Sequence, residues 1–375
     1  MNDTVILLRD GAEAFPEILS CIRAAEQSIE VNMFIWRDDQ IGRRVAEELL
    51  KAADRGVRIR IVKDRYGVIC EYCEEAQRSL FHPYLSLSER VSVRALELFY
   101  NRDLLGLERA GEQSPLLNKL LQHPNFCIRS DSRRYDHSKY YIFDEKILIL
   151  GGINIEDKED GMDRAGRHYR DFMVELVGEN FVTSFRGRQN GLLSEESACF
   201  ALNVKDPVRL FEIKQRYIDL IRDAAQELTI VMAYLTPFRP IMAAIRDAAR
   251  RGVRIRILIP RHANFMDDLN RHTASQLLRF AEKTHADLKI YLSPDMVHAK
   301  ALMSEKSIIV GSCNITRNAF HTLSELNYEA ARDDSKFAAD MQYSISGLFQ
   351  NACQARTVQD LKYRRWKLLL ERIMM

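Results

Sequence analysis

One heptapeptide occurs twice in this chain, and that repetition limits what the chain can fold into. Arg55-Gly56-Val57-Arg58-Ile59-Arg60-Ile61 returns unchanged as Arg251-Gly252-Val253-Arg254-Ile255-Arg256-Ile257, and the flanks agree as well. Before the first copy come an amphipathic stretch (Phe15 to Ala25), an apolar run (Ile29 to Trp36) and a second amphipathic stretch (Ile41 to Ala53). Before the second copy the corresponding pieces are Leu210 to Ala225, Leu228 to Leu235 and Ile241 to Ala249. Helical spacing alternates with short β-branched runs in both halves, which predicts helix–strand–helix–strand twice over. Within the repeat, Val and Ile alternate with Arg, so one face of each strand is buried and the other is not. Alternation of this kind favours a mixed sheet covered by helices.

The expected architecture is therefore α/β, with two lobes related by a pseudo-twofold. The first lobe is expected over 1–190 and the second over 207–375, joined through the polar stretch from Gly187 to Asp206. A length of 375 residues suits two cores rather than one. The halves differ in one interval: Arg55 to His137 is 82 positions, whereas Arg251 to His298 is 47. The surplus falls between about Gly67 and Phe126 and carries Phe99, Tyr100, Leu104, Leu105, Leu107, Leu116 and Leu117. Extra packed helix is the simpler reading of this insert; a lid or membrane-contacting flap is the alternative.

Two segments carry the chemistry. The first is His137-Ser138-Lys139-Tyr140-Tyr141-Ile142-Phe143-Asp144, followed by Gly151-Gly152-Ile153-Asn154. The second is His298-Ala299-Lys300-Ala301-Leu302-Met303-Ser304-Glu305, followed by Gly311-Ser312-Cys313-Asn314. On a strand, residues i and i+2 face the same side, so each His projects with its Lys. A pseudo-twofold brings the two pairs to one point, a constellation suited to a phosphodiester. One neutral imidazole attacks phosphorus, and the other, protonated, donates to the leaving oxygen. The lysines and the amides of Asn154 and Asn314 hold the non-bridging oxygens. The cationic side chains supply the positive charge, so the reading calls for no metal and no cofactor.

This doubled motif resembles the signature of the phospholipase D superfamily, and within it the chain looks most like bacterial cardiolipin synthases and related phosphatidyltransferases. The resemblance extends to Glu30-Val31-Asn32-Met33-Phe34-Ile35-Trp36, to Lys63-Asp64-Arg65-Tyr66-Gly67 and to Tyr169-Arg170-Asp171-Phe172-Met173-Val174-Glu175-Leu176-Val177-Gly178, and covers nearly the whole chain. It implies two phospholipase D-like lobes with the active site at their interface, and transfer of a phosphatidyl group between head-group alcohols through a phosphohistidine. It also implies that a carboxylate on a later strand orients each imidazole, and Asp171 and Glu329 stand in the matching places. Family precedent makes His137 the nucleophile and His298 the acid. The motif acids Asp144 and Glu305 are expected to be structural; Glu305 stands where Asp is usual, and Gly152 where the family often has Ser, the residue Ser312 keeps.

Lys plus Arg number 55 and Asp plus Glu 53, a net charge of +2, which argues against a protein that coats nucleic acid and against the nuclease branch of the superfamily. Seven cysteines form no paired framework, and the N-terminal apolar run ends at Leu8, so a cytoplasmic protein is expected. Cys70 and Cys73 make a lone C-x-x-C without a partner pair, a weak signal for metal. The C-terminal stretch from Asp360 interleaves Lys362, Arg364, Arg365, Lys367 and Arg372 with Leu361, Trp366, Leu369, Leu370 and Met374. It reads either as a basic amphipathic helix on an anionic leaflet or as a closing helix docked on the second lobe. The expected partners are a phospholipid substrate and, peripherally, the inner face of an anionic membrane.

Overall fold

The computed structural model describes residues 3–73, 79–100, 115–161, 166–192, 194 and 196–373. In the first lobe, β1 (Thr4–Arg9), α1 (Asp10–Ala24), β2 (Ser28–Met33), α2 (Gln40–Asp54) and β3 (Arg58–Lys63) follow in order. The insert contributes α3 (Tyr66–Cys73), α4 (Leu87–Glu97) and α5 (Leu116–Gln122). Then come β4 (Phe126–Arg129), β5 (Lys139–Phe143), β6 (Ile147–Gly151), β7 (Tyr169–Arg170), β8 (Phe172–Val177) and α6 (Glu179–Gln189). The second lobe runs β9 (Phe200–Val204), β10 (Leu210–Phe211), α7 (Ile213–Asp223), β11 (Glu227–Met232), α8 (Arg239–Arg250) and β12 (Arg254–Pro260). It continues with α9 (Asp267–Thr284), β13 (Leu288–Ser293), β14 (Met296–Val297), β15 (Lys300–Ser304), β16 (Ser307–Gly311) and α10 (Arg317–His321). β17 (Glu325–Ala331), α11 (Lys336–Gln350), β18 (Cys353–Ala355) and α12 (Arg365–Ile373) close it.

The duplication is visible in the sheets. The first has the order β1-β8-β6-β5-β2-β3-β4 and the second β10-β9-β17-β16-β15-β11-β12-β13-β18. Stripped of their edges, both read hairpin partner, hairpin, then three parallel strands: β5 and β6 pair antiparallel as β15 and β16 do, while β2–β3–β4 match β11–β12–β13. The repeated peptide behaves as its alternation requires. Ile59, Ile61, Ile255 and Ile257 are buried, and Arg58, Arg60 and Arg254 are exposed. β9 pairs with β17, so the second sheet takes in residues from the polar stretch read as a join.

Strand periodicity also builds the lobe interface. On β5, Tyr141 and Phe143 face the core under α1 and α2, whereas Tyr140 and Ile142 face the other way. That second face meets Ala299, Ala301 and Met303 of the opposite lobe in a core shared by both sheets. β7 and β14 add a parallel bridge across the seam, Tyr169 opposite Met296 and Arg170 opposite Val297. Since a fully buried Leu or Ile is worth about 1.5–3 kcal/mol, a core of this extent makes the lobes one packed unit.

The insert is packed helix in its described part. Ile69 and Cys73 of α3, Val93 and Leu96 of α4, and Phe99 and Tyr100 form a buried cluster that Phe265 and Leu370 of the second lobe join. Leu104, Leu105 and Leu107 lie outside the described residues. α12 docks on the second lobe: Leu368 packs with Leu269, and buried Glu371 accepts from the Leu269 backbone N–H at 2.7 Å.

Candidate active site

Each Lys is the first residue of its strand, Lys139 on β5 and Lys300 on β15, and each His lies two residues upstream on the same side. Both lysines are fully buried, and each donates from Nζ to the backbone carbonyl of its own histidine. His137, His298, Asn154 and Asn314 line one cavity of about 160 Å³ between the lobes. The two asparagines are held alike: Asn154 Oδ1 accepts from Ile35 N at 3.3 Å and Asn314 Oδ1 from Tyr234 N at 3.2 Å. With Oδ1 taken, the Nδ2 hydrogens are the end of each amide left to a ligand.

The carboxylates cross the seam. His298 Nδ1 lies 2.9 Å from Asp171 Oδ2, on the residue linking β7 to β8 in the first lobe. His137 Nδ1 lies 3.0 and 3.1 Å from the two oxygens of Glu325, at the start of β17 in the second. A carboxylate at Nδ1 keeps the proton there and leaves Nε2 for chemistry. Glu329, expected in this role, does not reach the site; its nearest charged partner is Arg216, 3.8 Å away. The physical reason is register. Gly151 pairs with Met173 and Gly311 with Asn327, so the residue equivalent to Asp171 is two before Asn327, which is Glu325. Glu329 shares the strand face but stands opposite Ile309, farther along the hairpin.

The surroundings of the two rings differ. Glu325 also accepts from Ser312 Oγ at 2.5 Å, a bond the first lobe lacks because Gly152 has no hydroxyl. A Cβ built on Gly152 would fall 2.3 Å from Asp171 Oδ2, so the shorter Asp carboxylate occupies the space a serine would need. His298 has a second carboxylate: Glu159 Oε1, buried and without another hydrogen-bond partner among the described residues, stands 3.2 Å from Nδ1. Nothing in the motif spacing points to Glu159, which sits on the loop between β6 and β7 and has no counterpart in the second copy.

These differences set the protonation of the rings. Burial drives the His137 pKa down to about 4, with Lys139 adding to the effect against Glu325. Burial and Lys300 also push on His298, but Glu159 and Asp171 together outweigh them and raise its pKa. His137 is thus the neutral ring near neutrality and His298 the one biased toward imidazolium. Burial also brings Lys139 down to about 7, with Lys300 adding to the effect. Glu159, Asp171 and His298 stand close enough to hold a metal ion, yet the Lys300 ammonium is already 3.4 Å from the Asp171 oxygen they would share.

Asp144 and Glu305 lie away from the cavity. Asp144 accepts from the backbone N–H groups of Glu26, Gln27 and Ser28 at 2.7–2.9 Å. Glu305 accepts from Ala225, Gln226 and Glu227 at 2.8–3.3 Å, at the corresponding bend between α7 and β11 of the second lobe. The rest of the cavity wall is largely apolar and aromatic, including Phe34, Tyr66, Leu96, Tyr100, Tyr234 and Phe265. Cys70 also lines it, and Cys73 donates to Val93 O at 3.4 Å. Lys158, absent from the sequence expectations, enters the wall 3.3 Å from Glu156 and 5.1 Å from the Tyr169 ring centroid.

A family model described as cardiolipin synthase, PLD-like domain matches residues 18–185 and 217–346. The cardiolipin synthase of Clostridium perfringens (strain 13) is 25% identical over 361 residues, covering 88% of this chain and 66% of its own. Cardiolipin synthase B of Salmonella typhi is 24% identical over 393 residues, covering 97% of this chain and 85% of its own. The chain therefore spans just under two thirds of the first relative's length. Among solved structures, phosphatidylserine synthase of Haemophilus influenzae Rd KW20 shares the fold with a TM-score of 0.70 at 14% identity, over 99% of this chain and 92% of that one. Two matched lobes, a duplicated sheet and paired His-x-Lys motifs agree, and the chain belongs to the cardiolipin synthase, PLD-like domain family of the phospholipase D superfamily of enzymes.

Proposed function

We propose that this chain is a phosphatidyltransferase that moves a phosphatidyl group between head-group alcohols of glycerophospholipids. The observation that carries the reading is the crossed arrangement of the site, in which each imidazole in the shared cavity is held at Nδ1 by a carboxylate of the other lobe. In the first half-reaction, the Nε2 lone pair of His137 forms a P–N bond as the P–O bond to the leaving alcohol breaks. His298 gives its Nε2 proton to that oxygen. Lys139, Lys300 and the asparagine amides stabilise the non-bridging oxygens as their charge grows. In the second half, neutral His298 takes the proton of the incoming alcohol, whose oxygen closes on phosphorus as the P–N bond breaks. Asp171, Glu325 and Glu159 position and bias the rings.

The relatives named above as cardiolipin synthases support cardiolipin as the product, and the reading takes phosphatidylglycerol as donor and acceptor. Among the described residues no helix is long and apolar enough to cross a membrane, and the reading includes peripheral contact with the anionic inner leaflet. The test is mass spectrometry of the products formed from phosphatidylglycerol with and without added alcohols. Cardiolipin with released glycerol is expected. His137→Ala should lower turnover by roughly four orders of magnitude or more and remove an acid-labile phosphatidyl adduct from the trapped protein. Phosphatidic acid alone would mean hydrolysis, and turnover of oligonucleotides without lipid turnover would sink the reading.

A further inference from the structure

α4 is amphipathic in an unusual sense. Ser86 and Glu89 close a capping box at its N-terminus, and Glu89, Val93 and Leu96 face inward. The outer face, where polar residues are expected, carries Leu87 (81% exposed), Val91 (70%) and Leu98 (50%), with Arg90 and Arg94 also exposed. Positions 87, 91 and 98 keep helical spacing, so they form one stripe rather than scattered side chains.

α12 repeats the pattern. Lys367, Leu368 and Glu371 are buried against the second lobe, while Trp366 and Leu369 are each 63% exposed beside exposed Arg365 and Arg372. The two helices meet at one place: Leu370 packs into the cluster of Val93, Leu96 and Tyr100, and Lys367 Nζ donates to Tyr100 O at 3.4 Å. Leu96 and Tyr100 are also wall residues of the catalytic cavity. The exposed apolar residues thus lie on the outer side of that wall, one helix thickness (about 10 Å) from its inner side.

We infer that the outer faces of α4 and α12 form the surface by which this protein docks on an anionic lipid bilayer, with Leu87, Val91, Leu98, Trp366 and Leu369 entering the interface. Three observations select this occupant. The cavity that would take the phosphodiester shares its wall residues Leu96 and Tyr100 with the cluster into which Leu370 of α12 packs, so a bound head group lies next to these helices. The apolar side chains on both helices are flanked by arginines, the pairing that suits an anionic leaflet. A second copy docked face to face would bring those arginines against their own kind. The choice of a lipid occupant rests on the proposed reaction; the exposed stripe does not.

The chain carries its own reporter. It has two tryptophans, and Trp36 is fully buried, so a lipid-dependent change in emission reads Trp366. With vesicles of phosphatidylcholine containing phosphatidylglycerol, the full-length protein is expected to show blue-shifted emission that brominated lipids quench. Pure phosphatidylcholine vesicles should give a weaker response, and salt should bring the response on anionic vesicles down toward it. A Leu87→Ser, Val91→Ser, Leu98→Ser variant should partition roughly tenfold less, or lower still, while retaining turnover of a short-chain phosphatidylglycerol below its micellar concentration. Unquenched Trp366, unchanged partitioning of the triple variant, or concentration-dependent self-association that buries Trp366 without lipid would overturn the inference. Binding and turnover are both measured on the wild type, where vesicle docking without turnover would fault the reaction and leave the surface standing; His137→Ala should dock as the wild type does. Short-chain turnover without docking would do the reverse.

Discussion

Both lobes offer a histidine and a lysine from corresponding strands, and both histidines lean on a carboxylate from across the seam, but the immediate surroundings of the two rings differ. His137 faces Glu325, whose second bond goes to Ser312, and its ring stands edge-on to Phe34 with centroids 4.8 Å apart. His298 faces Asp171 and Glu159 together, with Lys300 adjacent. Burial favours the neutral form of one ring, and the carboxylates bias the other toward imidazolium in spite of burial. On the proposed mechanism a duplicated scaffold thus supplies a nucleophile and an acid by unequal placement of carboxylates, because the backbone geometry at the two strands is shared.

That contrast can be broken in stages. The largest effect is expected from the orienting carboxylates. Glu325→Gln and Asp171→Asn should each lower kcat/KM by roughly 10³–10⁴, since an amide can hold the ring in the wrong tautomer. The two should diverge with the leaving group. Asp171→Asn weakens the acid and should suffer most with poor leaving alcohols, whereas Glu325→Gln should be insensitive to the alcohol. Equal sensitivity, read from a series of head groups of graded alcohol pKa, would mean that the roles are not divided.

Next comes the Gly152–Asp171 pair. Gly152→Ser places a Cβ against the carboxylate and should cost roughly 1–3 kcal/mol of stability, measured as a lower denaturation midpoint, along with activity. Combining it with Asp171→Glu reproduces the Ser312–Glu325 arrangement, and the double variant should recover part of the loss in a non-additive cycle.

Glu159→Gln should act through pH. The wild-type kcat/KM profile should keep its acidic limb near pH 4, where His137 becomes protonated. The alkaline limb reflects loss of the His298 proton, which Glu159 helps to retain above the ordinary histidine value, with deprotonation of Lys139 near 7 contributing to the same fall. Removing the Glu159 charge should move the alkaline limb to lower pH, with roughly tenfold lower activity on that limb and little change at pH 5. A uniform loss at every pH would reduce Glu159 to a packing residue. Glu329→Gln should be nearly silent, within about twofold, because Glu329 lies outside the cavity.

The histidines, lysines and asparagines were legible because duplication writes each of them twice, the His-to-Lys spacing identical and the His-to-Asn spacing one residue apart. Glu325 was missed in favour of Glu329 because strand alternation reveals which face a residue takes but not how far along a hairpin it stops. That distance follows from the pairing of Gly311 with Asn327, a contact between strands. Glu159 left no trace at all: it meets His298 only because two lobes close on each other, and no local pattern records an encounter of that kind. The insert was readable as helix, and what eluded the reading is that its inner face also lines the cavity.

A homodimer built from a single lobe would obey a strict twofold, and every change beside one ring would appear beside the other. Such an assembly could not have a Glu159 on one side alone, nor pair Asp with Gly here and Glu with Ser there. Covalent fusion of the two halves lifts that constraint. The extra carboxylate beside His298, Glu159, is the kind of asymmetry that a strict homodimer cannot acquire and a fused chain can, and it lets each imidazole be tuned without spoiling its twin.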